Sequence, residues 1–196
     1  DIHQGIRSPD ALMDIPLFLL NTVLHAGGRL PLRVFETRYM DMARACLREH
    51  TPFGVCLIRS GREVGQPAVP EDVGTLATIV ECDMQQLGLL QVKTRGGERF
   101  RINDRSVTGQ GLIVADIDPI PDEEDRPLDD RFEPVARLLR MVIDDQKQPI
   151  FFEPHRLDST SWVGQRLAEI LPIPGAAKQR LLELDDCEAR LEILFR

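Results

Sequence analysis

Lysine is nearly absent from this chain: of 24 basic residues only Lys93, Lys147 and Lys178 are lysines, and none follows a glycine. A phosphate-cradling loop of the form Gly-x4-Gly-Lys-Ser/Thr therefore cannot be assembled. That loop needs backbone amides around the phosphates and a lysine reaching the outer oxygens. No Gly-x-Ser-x-Gly surrounds Ser8, Ser60, Ser106, Ser159 or Ser161, so no strained nucleophile turn is encoded. A Ser–Lys dyad has few lysines to draw on. The chain reads as neither an ATPase nor a protease on its own, and no catalytic residue is assigned.

Metal chemistry is also poorly supplied. His3, His25, His50 and His155 are mutually distant, with no His-x3-His and no Cys–His pairing, whereas zinc needs three or four converging ligands. No metal and no cofactor is expected. Cys46, Cys56, Cys82 and Cys187 form no Cys-x-x-Cys. Each lies in an apolar periodic segment, and all four read as buried free thiols of a reduced cytoplasm. The paired acids Asp144-Asp145 and Asp185-Asp186 fall at helix ends and read as solvated charges. No apolar run approaches the ~18 residues of a membrane span, and no leader pattern opens the chain. The expectation is a soluble cytoplasmic protein with no membrane partner. A net charge of −8, with its arginines scattered among acids, disfavours nucleic acid, which is gripped by clustered cations.

What the chain does contain is 196 residues of ordinary globular composition, enough to bury about 70% of the unfolded surface without a staple. Residues 1–12 are polar and aperiodic and are set aside from the fold. From residue 15 to about 117, short apolar runs at 15–20, 53–58, 74–80, 87–94, 98–108 and 112–117 are broken by glycine and proline, which predicts a barrel or sandwich. Alternation through Leu90, Gln91, Val92 and Lys93 places a hairpin turn at Arg95-Gly96-Gly97, where glycine tolerates positive φ. One helix interrupts this half over residues 36–50, its apolar stripe carried by Tyr39, Ala43, Cys46 and Leu47.

Residues 119–127 then read as an acidic, proline-bounded solvated linker. Beyond them the periodicity is helical. Phe132, Val135, Leu138, Leu139, Val142 and Ile143 form one stripe, with Pro134 in the first turn. Ser159 caps a helix through Trp162, Leu167 and Leu171, Pro172 and Pro174 stop it, and two short helices follow. The fold class expected is α+β: a mixed β barrel or sheet lobe with one inserted helix (13–118), an acidic linker (119–130) and a small helical bundle (131–196).

The residues Ile15 to Phe18, Val23-Leu24-His25, Gly28, Leu30-Pro31-Leu32, Val34-Phe35-Glu36 and Arg38-Tyr39 resemble the opening of the N-terminal, substrate-binding domain family of Lon proteases. Later blocks fall in the family's order: Phe53-Gly54, Val73-Gly74-Thr75, Arg99-Phe100-Arg101-Ile102, Lys178-Gln179 and Arg190-Leu191. The Val-Phe-Glu-x-Arg-Tyr block is the specific part. The chain departs from the family at His25-Ala26, where Phe-Pro is usual, and it carries neither the ATPase nor the protease module. The resemblance implies a stand-alone member with a lobe of the pseudouridine-synthase-and-archaeosine-transglycosylase (PUA-like) type. A first strand, a loop, a second strand and the first helix would open it.

The resemblance further implies a non-enzymatic module binding unfolded polypeptide or a protein partner. Two sets of residues are candidates for that contact. Phe35, Glu36 and Arg38 could form a recognition surface, or Phe35 could be core with Glu36 and Arg38 fixing the strand-to-helix corner. Phe151 and Phe152 could plug the gap between lobes or offer aromatic anchors to a partner. Two rival functions stay open: an RNA- or nucleotide-binding PUA-like protein, and a small-molecule enzyme using cleft carboxylates.

Overall fold

The computed structural model describes residues 13–195; the aperiodic residues 1–12 lie outside the described part. Seven strands, β1 (Met13–Leu20), β2 (Arg29–Val34), β3 (Phe53–Ser60), β4 (Val69–Pro70), β5 (Val73–Gln86), β6 (Leu89–Val107) and β7 (Ile113–Ile120), precede four helices and enclose a fifth. The enclosed helix is α1 (Thr37–Glu49); α2 (Glu133–Asp145), α3 (Thr160–Ile170), α4 (Gly175–Glu183) and α5 (Cys187–Leu194) follow. The strand order β1-β7-β6-β5-β3 returns to β1 through a parallel β1–β3 pairing, so these five strands close a ring. All other pairings are antiparallel. A mixed barrel with one inserted helix and a C-terminal helical group is the α+β class that the alternating runs predict.

The long β6 organises the ring because one of its edges serves two neighbours. Leu90 to Arg95 pair with β2, and residues 99–107 pair with β7. Glycine explains how one strand can do this, and also why the hairpin lies elsewhere than expected. Gly96 and Gly97 sit inside β6, whereas the chain reverses at Leu87 and Gly88, with Gly88 at φ +82° and Leu87 94% exposed. A Cβ on Gly96 would run into the carbonyl of His25. The β1–β2 loop crosses there, with Gly27 N–H donating to Gly96 O (2.8 Å) and Gly96 N–H to Gly28 O (2.9 Å). Glycine in a strand marks such a close approach as readily as a turn.

Helix α1 buries Tyr39, Met42, Ala43 and Cys46 against the barrel. Leu47 is exposed, off the stripe assigned to it. His50, in the left-handed region at φ 55°, returns its N–H to Cys46 O and ends the helix. Phe18, Tyr39, Phe53 and Val92 fill one side of the barrel, and Leu17, Phe100, Ile113 and Ile117 fill the other. Three cysteines are buried as expected, but Cys82 is exposed near the end of the β5–β6 ribbon, where no second layer covers the strands.

The helices have their own core of Phe132, Leu139, Val163 and Leu191, with Phe151 inserted. The acidic segment between the barrel strands and α2 is less solvated than its composition suggests. Pro119 and Ile120 belong to β7, and the Glu123 side chain is 6% exposed. Its carboxylate accepts from Arg190 Nη1 (2.7 Å), Ser161 Oγ (2.5 Å) and Gln165 Nε2 (2.9 Å). Asp125 accepts from Ser159 Oγ (2.6 Å) and Ser161 N–H (3.0 Å). The buried guanidinium of Arg190 requires a counter-charge, and this segment supplies it.

Candidate polypeptide-binding groove

β2 leaves the barrel at Val34, and the chain turns through Phe35 and Glu36 into α1. Alternation along β2 sends Leu32 and Val34 into the core and leaves Pro31 and Arg33 exposed. Phe35 lies one residue past the strand and before the helix, so neither periodicity buries it, and it is 56% exposed. It borders a groove of about 350 Å³ whose walls include Phe18, Leu20, Leu30, Tyr39 and Val64. Val64, on the β3–β4 loop, is likewise 56% exposed. Two buried rings form part of its wall, Phe18 and Tyr39, stacked at 4.0 Å and 11°.

Polar members of the corner divide by what they already touch. Arg38 Nε donates to Glu36 (3.1 Å), Nη1 to Gly111 O (2.9 Å) and Nη2 to Glu63 O (3.5 Å). Its guanidinium also lies 4.6 Å from the centre of the Tyr39 ring. With all three nitrogens engaged and 7% of its surface exposed, Arg38 works as a strut binding the corner to two loops. Glu36 is its counter-ion and lines the groove. Of the residues marked in the sequence, Phe35 and Glu36 line the groove and Arg38 stands behind them.

Phe151 and Phe152 do not line it. Phe151 is 4% exposed, edge-on to Trp162 at 5.7 Å. Phe152 is half-buried beneath Arg95, whose guanidinium lies 4.0 Å from its ring centre, with Arg29 at 5.9 Å. Arg29 also donates to Pro149 O. Phe152 thus meets β2 and β6, while Phe151 packs within the helical core.

A second hollow, about 460 Å³, opens on the other face of β2 and is lined by Pro31, Arg33, Glu81, Asp83, Gln91 and Lys93. Charged and amide side chains predominate there, beside Leu32 and Val92, and Lys93 is paired to Glu81 at 3.0 Å.

Sequence reasoning missed a buried polar seam where the β1–β2 loop meets α3 and α4. Arg166 Nη2 donates to Ala26 O (2.5 Å) and approaches Glu169 at 2.8 Å. Lys178 Nζ donates to Glu169 O (2.7 Å), and Gln179 Nε2 to Val73 O (2.9 Å). His25 is 1% exposed with neither ring nitrogen hydrogen-bonded to the protein. Burial, reinforced by Arg166, Arg190 and Lys178, holds its pKa at about 3. Burial pushes the Glu169 carboxyl up to about 7 against the opposing pull of Arg166 and Lys178. The one signal available was the presence of charged residues amid the apolar positions of α3.

Comparison with known proteins agrees with this architecture. The crystal structure of a Lon N-terminal domain protein from Xanthomonas campestris superposes with a TM-score of 0.77 at 36% identity, covering 93% of this chain and 97% of that one. The N-terminal domain of the Mycobacterium avium complex Lon protease shares the fold at a TM-score of 0.64 and 18% identity, covering 93% and 96%. Residues 14–196 match the family described as the ATP-dependent protease La (LON) substrate-binding domain, and the chain belongs to that family. It is also 31% identical over 191 residues to Lon protease 2 of Syntrophobacter fumaroxidans, covering 94% of this chain and 24% of that protein. The chain thus spans about a quarter of that relative's length. The matched part is the substrate-recognition module of Lon, distinct from its protease domain.

Proposed function

We propose that the chain acts without chemistry of its own, holding unfolded polypeptide or an unfolded segment of a protein partner in the groove at the β2–α1 corner. The observation that carries this reading is the pair Phe35 and Val64. Both are more than half exposed on the rim of a groove whose other walls include the buried core residues Phe18, Leu20, Leu32, Val34 and Tyr39. Exposed large apolar groups gathered around one concavity are the usual mark of a binding surface. An aromatic anchor entering such a groove would desolvate Phe35 and gain the affinity that interface cores supply. Membership in a substrate-binding family supports the same reading. In a longer Lon-like assembly, or beside a separate ATPase and protease, the held segment would be passed on for unfolding and cleavage.

The net charge of −8 gives a phosphate backbone little to bind. Glu169, whose carboxyl is displaced toward neutrality, is mostly buried and paired with Arg166 at 2.8 Å rather than set in either hollow beside β2. Neither the RNA reading nor the carboxylate-enzyme reading therefore gains a supporting observation.

The test is fluorescence anisotropy of a labelled, permanently unfolded polypeptide titrated with the protein. Saturable binding, competed by other unfolded chains and not by folded ones, is expected. Phe35→Ala should weaken it about tenfold, the scale of one interface anchor. Absence of saturable binding, or full affinity in Phe35→Ala, would overturn the groove.

A further inference from the structure

β2 is bordered by two hollows, one lined mainly by charged and amide side chains and one mainly by apolar ones, and has one free edge. Among the described residues it pairs with β6 alone, over all six positions from Arg29 to Val34. Its other edge presents a row of N–H and C=O groups about 20 Å long. Cross-strand neighbours share a face of a sheet, and the register says which hollow belongs to which face. Pro31 opposes Lys93 and Arg33 opposes Gln91, while Glu81 opposes Lys93 and Asp83 opposes Gln91. All of these line the polar hollow of about 460 Å³. Leu32 and Val34 point to the opposite face, the side of Phe18, Tyr39 and the apolar groove.

A row of alternating backbone donors and acceptors is matched most fully by another extended backbone. From this juxtaposition we infer that the free edge of β2 takes up a polypeptide segment as an added strand, sending alternate side chains into the apolar groove and the polar hollow. This rests on the polypeptide-binding reading above and names the class of segment: extended, with apolar and polar residues alternating at every second position. Backbone pairing supplies affinity with little sequence preference, and the two hollows supply the preference for alternation. The edge itself is guarded. Pro31 deprives β2 of one donor at its centre, and Arg29 and Arg33 place charges along it, devices that stop edge strands from pairing permanently with copies of themselves. Capture on such an edge is reversible, as a receptor for passing segments requires.

The experiment uses a labelled ten-residue peptide of alternating apolar and polar residues and three relatives of identical side-chain composition. Two carry backbone N-methyl groups on alternate amides, one on the odd set and one on the even set. The third rearranges the residues so that the apolar ones recur at i, i+3, i+4 and i+7. Saturable binding of the parent peptide is expected, with one methylated isomer at least tenfold weaker and the other within twofold. The rearranged peptide should bind at least fivefold more weakly, and hydrogen exchange of β2 amides should slow on binding the parent. If the parent binds while both methylated isomers bind equally well, the added strand is wrong and the groove reading survives. If neither the parent nor an unfolded polypeptide binds, both fall together.

Discussion

The corner at β2–α1 and the seam at α3–α4 are built from similar materials put to opposite uses. At the seam the cations are engaged, Arg166 on Ala26 O and Glu169, Lys178 on Glu169 O, Arg190 on Leu181 O, Leu184 O and Glu123, while His25 stays buried with neither ring nitrogen hydrogen-bonded to the protein. At the corner only Arg38 is consumed in that way, and beside it Phe35 and Val64 are left unburied. Recognition needs groups whose interactions are still unmade, while holding elements of the fold together relies on groups already engaged. On the proposed function, the charged residues of the seam serve stability and the apolar residues of the corner serve binding.

The largest effect that would sharpen this contrast comes from Arg190. Its side chain is 2% exposed and closes the last turn of α4 onto Leu181 O (3.0 Å) and Leu184 O (2.9 Å), with Glu123 at 2.7 Å as counter-ion. Arg190→Ala leaves the buried Glu123 carboxylate without its counter-ion and takes a donor from two carbonyls, a loss on the order of 3–5 kcal/mol. The expected outcome is a fall in Tm of about 10 °C for a chain of this length, read by thermal unfolding. Polypeptide affinity, measured below the lowered Tm, should be unchanged. A drop in affinity with Tm preserved would reverse the assignment of the two regions.

A smaller effect tests the seam through pH. His25 has a folded pKa near 3 against an ordinary 6.5, so the unfolded chain takes up the proton first. The stability linked to neutral His25 is complete above pH 6.5 and is lost as pH falls toward 3. Glu169 runs the other way: its folded pKa near 7 exceeds the ordinary 4.5, so its contribution is complete below pH 4.5 and declines as pH rises to 7. Each slope is about 1.4 kcal/mol per pH unit, and between pH 4.5 and 6.5 they oppose one another. Glu169→Gln deletes one of them. Its stability, from urea midpoints at pH 5 and pH 6.5, should rise with pH by about 2 kcal/mol more than that of the unmodified chain. Parallel pH profiles would mean that Glu169 is not sealed in the seam.

Why one region was legible in the sequence and the other was not follows from the distances involved. β1 and β3 announce themselves as continuous apolar runs because both lie within the closed ring. Ser159 announces α3, since its hydroxyl accepts from Trp162 N–H three residues on. These signals are local. The seam joins Arg166 to Ala26 across 140 positions, and nothing in the neighbourhood of either residue encodes the other. Gly96 misled for the same reason: its need for a missing Cβ comes from His25, about 70 residues earlier, whereas a nearby turn is the local explanation for a glycine pair. β2 carries Pro31 and two arginines, so composition hides it, and only the family resemblance placed a strand there. Phe35 was open to a core reading because it stands four residues before Tyr39, the spacing of a helical stripe. The helix starts at Thr37, so that spacing does not apply.

The smallest effect is the one that most directly separates the two regions. Phe35→Ala and Val64→Ser remove apolar surface that solvent already reaches, since each residue is 56% exposed. Neither touches a buried hydrogen bond, a cap or a cavity, and surface changes of that kind stay within about 0.5 kcal/mol. Urea unfolding of both variants should therefore overlay that of the unmodified chain. If the corner were a structural element whose aromatic happens to protrude, Phe35→Ala would instead lower the midpoint and leave polypeptide binding intact. Unchanged stability together with the tenfold loss of binding expected above is a combination that a structural role cannot produce.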